Sequence, residues 1–306
     1  MTKEQAGRLM KMATWAAVGV ASTLVAAKAM AWWLSGSVAM LGSLADSSLD
    51  LAASLVTMFA VRLALIPPDD DHRFGHGKAE ALAGLFQAAV MTGSAVYISL
   101  EAVSRIWEPV MPERSDLVIG ASALAVLLSL CLVLFQSYVV RQTRSIAIAG
   151  DHLHYKGDLL LNSSVIASAL ISSTGFLYAD GIFGVLIGGY ILYGAYEVAK
   201  PAIDMLMDKE FEDEEREIIF NVVMGHPEVQ GLHELKTRSS GRDRFIQMHI
   251  EVPGEMTVDA AHIIADEVEA TLSEYFRDTE IFIHMDPPSP QSDALTVREL
   301  MREEDA

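Results

Sequence analysis

Residues Val38–Leu65 read VAMLGSLADSSLDLAASLVTMFAVRLAL, a stretch long enough and apolar enough to cross a bilayer as a helix. A hydrocarbon core about 30 Å thick needs about 20 mostly apolar helical residues, because lipid offers backbone polar groups no partner. Other stretches meet the same test, which predicts a membrane α-helical bundle. The six predicted transmembrane helices are Met10–Leu34, Val38–Leu65, Ala79–Trp107, Leu117–Val140, Ala147–Gly175 and Gly181–Met207.

The amino-acid composition excludes several classes of protein. Apolar residues make up 51% of the chain and charged residues 21%, and most of the charge lies in the last third. That distribution excludes a single soluble globule and a disordered chain. The net charge of −19 argues against a nucleic-acid partner, which would need a basic patch. Cys131 is the only cysteine, so neither a disulfide scaffold nor a Cys-rich zinc module is possible.

The basic residues between the predicted helices indicate the orientation of the chain in the membrane. Cytoplasmic loops of membrane proteins carry an excess of Lys and Arg. The predicted loops on one side of the membrane have only Arg105 and Arg114 near them, and the other basic residues lie on the opposite side. Both termini are therefore predicted to be cytoplasmic. A signal peptide is the alternative for the start of the chain, but the apolar run continues to Trp33, longer than a signal peptide needs. The basic residues of the other side are Lys3, Arg8, Lys11, Arg62, Arg73, Lys78, Arg141, Arg144, Lys200 and Lys209.

The last third of the chain is predicted to be a small cytoplasmic α+β domain. Alternation of apolar and polar residues predicts strands, and apolar residues at helical spacing predict helices. We expect a transmembrane domain over residues 1–207, a cytoplasmic domain over 208–290 and a flexible polar tail over 291–306. The predicted cytoplasmic elements are a helix at Glu212–Gly225, strands at Leu232–Arg238 and Arg244–Val252, a helix capped by Thr257 that ends at Phe276, and a strand at Glu280–Met285.

Two pairs of ionisable residues lie inside predicted membrane helices. Asp46 and Asp50 on helix 2, and His154 and Asp158 on helix 5, are each four apart and so share a helix face. A charge near the bilayer centre costs at least about 2.5–3.5 kcal/mol, so such residues normally pair or face water. Four O and N ligands from two helices suit a tetrahedral Zn²⁺ or Cd²⁺ ion. The alternative is that each pair caps a helix or meets interfacial water.

Two further groups of residues have the side chains of metal ligands. Asp69, His72 and His76 lie in the loop after helix 2, where they are either a metal site or solvated charge. The cytoplasmic histidines are either zinc ligands or isolated surface residues, and Asp286 has two oxygens with which to bridge two ions. That cytoplasmic set is His233, His249, His262, His284 and Asp286.

Three motifs are specific to a known family. GSVAMLGSLAD spans 36–46, FGHGKAE spans 74–80 and HYKGD spans 154–158. Through these motifs, the six predicted membrane helices and the small cytoplasmic domain, almost the whole chain resembles the cation diffusion facilitator family. The resemblance implies a homodimer of the bacterial inner membrane that exports divalent metal ions in exchange for protons. It also implies Zn²⁺ as the main substrate, with Cd²⁺ and Fe²⁺ as others, and a metallochaperone-like, ferredoxin-like cytoplasmic domain.

The resemblance assigns roles to particular residues. Lys78 and Asp208 would form a charge interlock between subunits, and metal in the cytoplasmic domain would be structural or regulatory. Met285 is a departure, because a close relative has a glutamine between His284 and Asp286. The implied sites are a transport site of Asp46, Asp50, His154 and Asp158, a loop site of Asp69, His72 and His76, and a binuclear site of His233, His249, His262, His284 and Asp286.

The charges of the transport site suggest how it works. Its three carboxylates and neutral histidine carry a formal charge of −3 against +2 for the metal, so protons can compete with the metal for the same atoms. Alternating access would then couple inward proton flow to metal export. A membrane metalloenzyme and a metal sensor without transport are the alternatives. We do not expect an enzyme, because a catalytic zinc keeps a position open for water and the sequence has no nucleophile motif.

Overall fold

A computed structural model describes residues 2–35, 38–107, 116–172 and 178–288. The predicted tail at 291–306 and the connections at 36–37, 108–115 and 173–177 lie outside the described residues. The chain divides into two compact units, the first within Met1–Asp69 and His76–Leu206, the second within Asp70–Gly75 and Met207–Ala306.

The first unit is a bundle of long helices. Their bounds agree with the predicted spans to within a few residues, except that α1 begins at Lys3 rather than Met10. Thr2 explains the early start, because its hydroxyl accepts a hydrogen bond from Gln5 N while Gln5 Oε1 accepts one from Thr2 N, a reciprocal cap. The helices are α1 (Lys3–Ser35), α2 (Val38–Ala64), α3 (Lys78–Trp107), α4 (Asp116–Thr143), α5 (Ile146–Ser172) and α6 (Ala179–Leu206).

Five of these helices, all except α5, are long and apolar enough to cross a membrane by length and composition. The first half of α5 contains three charged residues, Asp151, Lys156 and Asp158, more than the other spans carry in their most apolar stretch. The fold is therefore a transmembrane domain of several apolar helices, and the membrane span of α5 stays a prediction from its length and its neighbours.

Glycines bring α6 close to α3, the neighbour with which it packs most extensively. A Cβ atom at Gly184 would stand 2.6 Å from the Ala102 methyl carbon, and one at Gly188 would stand 2.2 Å from Ser99 Oγ. Small residues three or four apart allow helix backbones to approach in this way. Helices α3 and α6 thus form a close pair.

In its described residues, the second unit combines two helices with a sheet of three strands. The sheet order is β1-β2-β3, with β1 antiparallel to β2 and β2 parallel to β3 across α8. Gly241, at φ 62°, makes the hairpin turn between β1 and β2. Thr257 caps α8, as predicted, by accepting a hydrogen bond from Ala260 N at 3.2 Å. The elements are α7 (Asp213–Met224), β1 (Gly231–Ser240), β2 (Asp243–Glu251), α8 (Val258–Tyr275) and β3 (Thr279–Asp286).

The core of the second unit lies between the helices and one face of the sheet. Ile218 and Ile263 belong to the apolar stripes of α7 and α8, but they are 37% and 58% exposed. The buried stripe of each helix is narrower than the apolar pattern, because only residues that face the sheet are covered. The residues that fill the core include Ile219, Val223, Ile246, Met248, Ile250, Ile264, Val268 and Leu272.

Candidate metal sites

Helices α2 and α5 bring three candidate ligands together inside the bundle. His154 Nε2 lies 2.9 Å from Asp50 Oδ1 and 3.4 Å from Asp158 Oδ2, and one donor atom from each residue lies within 4.8 Å of the others. Met91 Sδ, on α3, stands 3.2 Å from the opposite ring nitrogen, Nδ1. We call Asp50, His154 and Asp158 the transport cluster, after the transport site that the resemblance implies.

Asp46 is not part of this close group. It lies one helical turn before Asp50 on α2 and its side chain is exposed, while Asp50 and Asp158 are partly buried and His154 is buried. The i, i+4 spacing therefore places Asp46 on the right face of α2 but does not by itself bring it to the other three. A cation in the cluster would be expected to attract it.

Lys28 of α1 adds a positive charge near Asp46 that sequence reasoning missed. Its ammonium donates to Ser47 Oγ at 2.6 Å and to the Ser43 carbonyl at 3.3 Å, which fixes it against α2. The charge interacts electrostatically with Asp46 and Asp158. The pattern Lys28-x-x-x-Trp32 near a helix end gives no sign of this contact, since it depends on how α1 packs on α2.

A second buried polar group lies one turn from the transport cluster, and it was also missed. Asp151 of α5 accepts hydrogen bonds from Gln136 Nε2 at 2.7 Å and Ser54 Oγ at 3.2 Å. Gln87 Nε2 lies 3.5 Å from the same carboxylate. Asp151 stands three residues before His154 and so shares its helix face, which is the sequence signal that was available.

The loop between α2 and α3 brings two of its three predicted ligands into contact. Asp69 Oδ2 lies 3.3 Å from His76 Nε2, and His76 Nδ1 lies 3.4 Å from the Ile66 carbonyl oxygen. Asp69 and His76 belong to the first unit, whereas His72 belongs to the Asp70–Gly75 segment of the second. The part of His72 in a loop site therefore stays a prediction.

Strand pairing lines up three histidines across the sheet of the second unit. His233 pairs with His249 on β1 and β2, and His249 pairs with His284 on β2 and β3. Asp286 lies beside all three, with its oxygens 3.4 Å from His233 Nε2, 2.8 Å from His249 Nδ1 and 3.2 Å from His284 Nε2. The hydrogen bond that His249 donates lowers the pKa of the Asp286 carboxyl, so the carboxylate is ionised and ready for a cation.

His262 does not join this cytoplasmic cluster within the chain. It lies on α8 with its side chain 68% exposed, and its ring nitrogen Nε2 is 3.8 Å from Asp266 Oδ1, one turn along the same helix. Within one chain His262 therefore stands apart from the other four residues, and its part in the binuclear site stays a prediction. The reason is that α8 covers the sheet with its apolar side and turns His262 outward.

The predicted interlock residues lie in different units. Asp208 has φ 55° and its Oδ2 lies 3.7 Å from Arg238 Nη1, a contact within the second unit. Lys78 is the first residue of α3 in the first unit. Their pairing between subunits stays a prediction.

Comparison with known families decides the class of the protein. Residues 14–207 match the family described as "Cation efflux transmembrane domain". The chain belongs to the cation efflux family. Residues 211–288 match "Cation efflux protein, cytoplasmic domain", so both units of this member have counterparts in the family. A family of membrane cation-efflux transporters, not of enzymes, thus accounts for the chain.

Two relatives of similar length agree with this membership. The chain is 43% identical over 283 residues to "Cation-efflux pump FieF" of Yersinia enterocolitica, covering 92% of this chain and 94% of that protein. It is 40% identical to the protein of the same name from Salmonella choleraesuis, with the same coverage. A solved structure, "Metal-bound C-terminal domain of CzcD transporter from Thermotoga maritima", is 31% identical with a TM-score of 0.24, and covers 24% of this chain and 87% of that one.

Proposed function

We propose that this family member exports divalent transition-metal cations, Zn²⁺ above all and also Cd²⁺ and Fe²⁺, from the cytoplasm in exchange for protons. The observation that carries the proposal is the meeting of Asp50, His154 and Asp158 within a bundle of apolar helices. Asp46 would complete a tetrahedral transport site when the cation is bound.

The ligand chemistry supports a divalent transition metal as the substrate. One imidazole nitrogen with carboxylate oxygens suits Zn²⁺, Cd²⁺ and Fe²⁺ better than Mg²⁺ or Ca²⁺, which take six or more oxygens. The three carboxylates of Asp46, Asp50 and Asp158 carry −3 and Lys28 carries +1, so −3 + 1 = −2 balances a divalent ion. A bound divalent ion would therefore leave the site without net charge.

The short distances between the carboxylates and the imidazole of the transport cluster also support proton coupling. Asp50 and Asp158 each approach the same imidazole nitrogen, and without a cation their negative charges repel each other. Protons relieve that repulsion, and an arriving metal ion displaces them from the same atoms. If the cluster opens to each side in turn, the proton gradient drives metal outward.

The side-chain exposure of the described residues supports a transport cluster that is open to one side of the membrane and closed to the other. Side-chain exposure is 27% for Asp158 and 16% for Asp50, whereas Ser54, Gln87 and Gln136, beyond the cluster, are fully buried. With the orientation predicted from the basic residues, the open side is the periplasmic one. We propose both termini in the cytoplasm of a bacterial cell, with the chain in the inner membrane and domain boundaries at 207 and 290.

For the second unit we propose a homodimer with a regulatory metal site. His233, His249, His284 and Asp286 would hold the ion, and the exposed His262 of a second copy would add a ligand across the interface. Two acidic copies repel, and a shared cation offsets that repulsion. Lys78 paired with Asp208 between subunits and a metal site at Asp69, His72 and His76 complete this part of the proposal.

Transport into proteoliposomes tests the function. The purified chain is reconstituted, Zn²⁺ is added outside, and lumenal Zn²⁺ and pH are recorded with separate dyes. We expect zinc uptake with proton counterflow, and we expect Asp158→Asn to abolish both. Glu197→Gln, which removes an exposed carboxylate of α6, is the matched control and should transport normally.

The outcomes separate the alternatives. Zinc binding without flux would favour a sensor, and flux without a pH change would remove proton coupling. Normal zinc flux in Asp158→Asn would remove the transport cluster from the pathway and defeat the proposal.

A further inference from the structure

Asp151 is a buried carboxylate whose charge the transport mechanism does not use. It is 1% exposed, and no Lys or Arg forms a salt bridge with it in the described residues, which omit 1, 36–37, 108–115, 173–177 and 289–306. Burying an ionised carboxylate is costly unless hydrogen-bond donors or a cation compensate it. It lies one turn beyond His154, toward the end of the bundle that carries Arg62 and Arg144.

The side chains around Asp151 come from separate helices. Ser54 of α2, Gln87 of α3 and Gln136 of α4 surround the carboxylate with a hydroxyl and two amides. Tyr155 links Ser54, at 2.9 Å, to the Ala17 carbonyl of α1, at 3.2 Å. Four helices therefore meet at this carboxylate, and Tyr155 connects a fifth, α1, to the same network.

The two amide oxygens are the decisive feature. Gln87 and Gln136 are both 0% exposed, and neither Oε1 accepts a hydrogen bond from the described residues. Leaving a buried acceptor unpaired is costly, so each of the two oxygens needs an explanation. Gln136 Nε2 donates to Asp151 at 2.7 Å, whereas Gln87 Nε2 lies 3.5 Å from Asp151 and also donates to Thr57 Oγ1 at 3.2 Å. A half-turn about the last side-chain bond of either glutamine would bring its oxygen toward Asp151 instead.

We propose that Asp151, Gln87 and Gln136 form a second cation site, in which a divalent metal ion stops between the cytoplasm and the transport cluster. The inference rests on the proposed function, because it assumes that metal crosses the bundle. When no ion is bound, the amide nitrogens lie beside the Asp151 carboxylate, where the ion would otherwise be. When the ion arrives, both amides turn and offer it their oxygens, and Ser54 Oγ is a further ligand.

The ligands of this second site suit a metal ion that binds weakly and briefly. Carboxylate, amide and hydroxyl oxygens bind divalent ions but lack the nitrogen that favours zinc over harder metals. One carboxylate leaves a bound divalent ion with net charge +1, whereas the transport cluster can neutralise it. The ion is therefore held more weakly here than at His154 and moves on.

A binding experiment isolates this site. In a background of Asp50→Asn with Asp158→Asn, the full-length chain in detergent receives Gln136→Glu or, as the matched control, Gln136→Leu. Mn²⁺ binding is counted by electron paramagnetic resonance. Because the second carboxylate would stand at Asp151, we expect one more Mn²⁺ per protomer with Gln136→Glu than with Gln136→Leu. We expect that additional ion to be lost when Asp151→Asn is added. Equal binding in both variants overturns the proposal.

A transport measurement covers the case in which Gln136→Glu does not fold. Asp151→Asn keeps the transport cluster, so we expect zinc affinity at equilibrium within about twofold of the parent and an initial rate at least about tenfold lower. An unchanged rate, or equal losses of binding and rate, overturns the second site. If Asp158→Asn transports normally, the proposed function fails instead, so the two failures are distinct.

Discussion

The close pair of α3 and α6 gives a prediction whose size follows from the structure. Gly184→Ala adds a methyl group 2.6 Å from the Ala102 Cβ, where ordinary contacts are 3.4–4 Å. Neither methyl can rotate away, so the backbones must separate by roughly 1 Å, and overpacking of this kind costs about 1–3 kcal/mol. The exchange of Gly for Ala also favours a helix by about 1 kcal/mol.

Gly189→Ala is the matched control, because a Cβ at Gly189 meets nothing within 4 Å and gains the same helix preference. The preference cancels between the two variants, so Gly184→Ala should be less stable than Gly189→Ala by about 1–3 kcal/mol. Thermal unfolding of both proteins in one detergent, at one scan rate, measures the order of their midpoints. If Gly184→Ala unfolds at the same temperature as Gly189→Ala or above it, the close approach of α3 and α6 is wrong.

Two further predictions concern the charges and ligands of the proposed transport site. Lys28→Gln removes the positive charge that interacts with Asp46 and Asp158, so zinc should bind more tightly and leave more slowly. Calorimetry measures the affinity, flux measures the release, and Lys28→Arg should behave like the parent. Weaker zinc binding by Lys28→Gln would contradict the electrostatic argument. His154→Asp makes an all-oxygen site, so the ratio of Mn²⁺ to Zn²⁺ uptake should rise by about tenfold or more; an unchanged ratio would place selectivity elsewhere.

Local patterns predicted most of the fold. Continuous apolar runs located the long helices, and alternation located β2, whose Ile246, Met248 and Ile250 are all buried. Hydropathy could not locate the start of α1, because the cap at Thr2 is polar. It also could not show that Ile263 lies outside the core, since burial depends on what a helix packs against.

In the candidate sites, too, local spacing predicted some contacts and could not predict those that depend on packing. Spacing of four predicted that His154 and Asp158 share a face, and the structure brings both to Asp50. Contacts that depend on packing between helices were missed, as with the amides that meet Asp151. Distance along the chain hides such contacts, because Gln87 lies 64 residues from Asp151.

The single cysteine gives the molecule a ready attachment point for probes. Cys131 is exposed on α4, five residues before Gln136 on the same helix. A nitroxide or fluorophore bound there reports on this helix alone, in the native sequence and without a cysteine-free background. In a dimer the two labels would give one distance, whose change on adding metal would follow α4 directly.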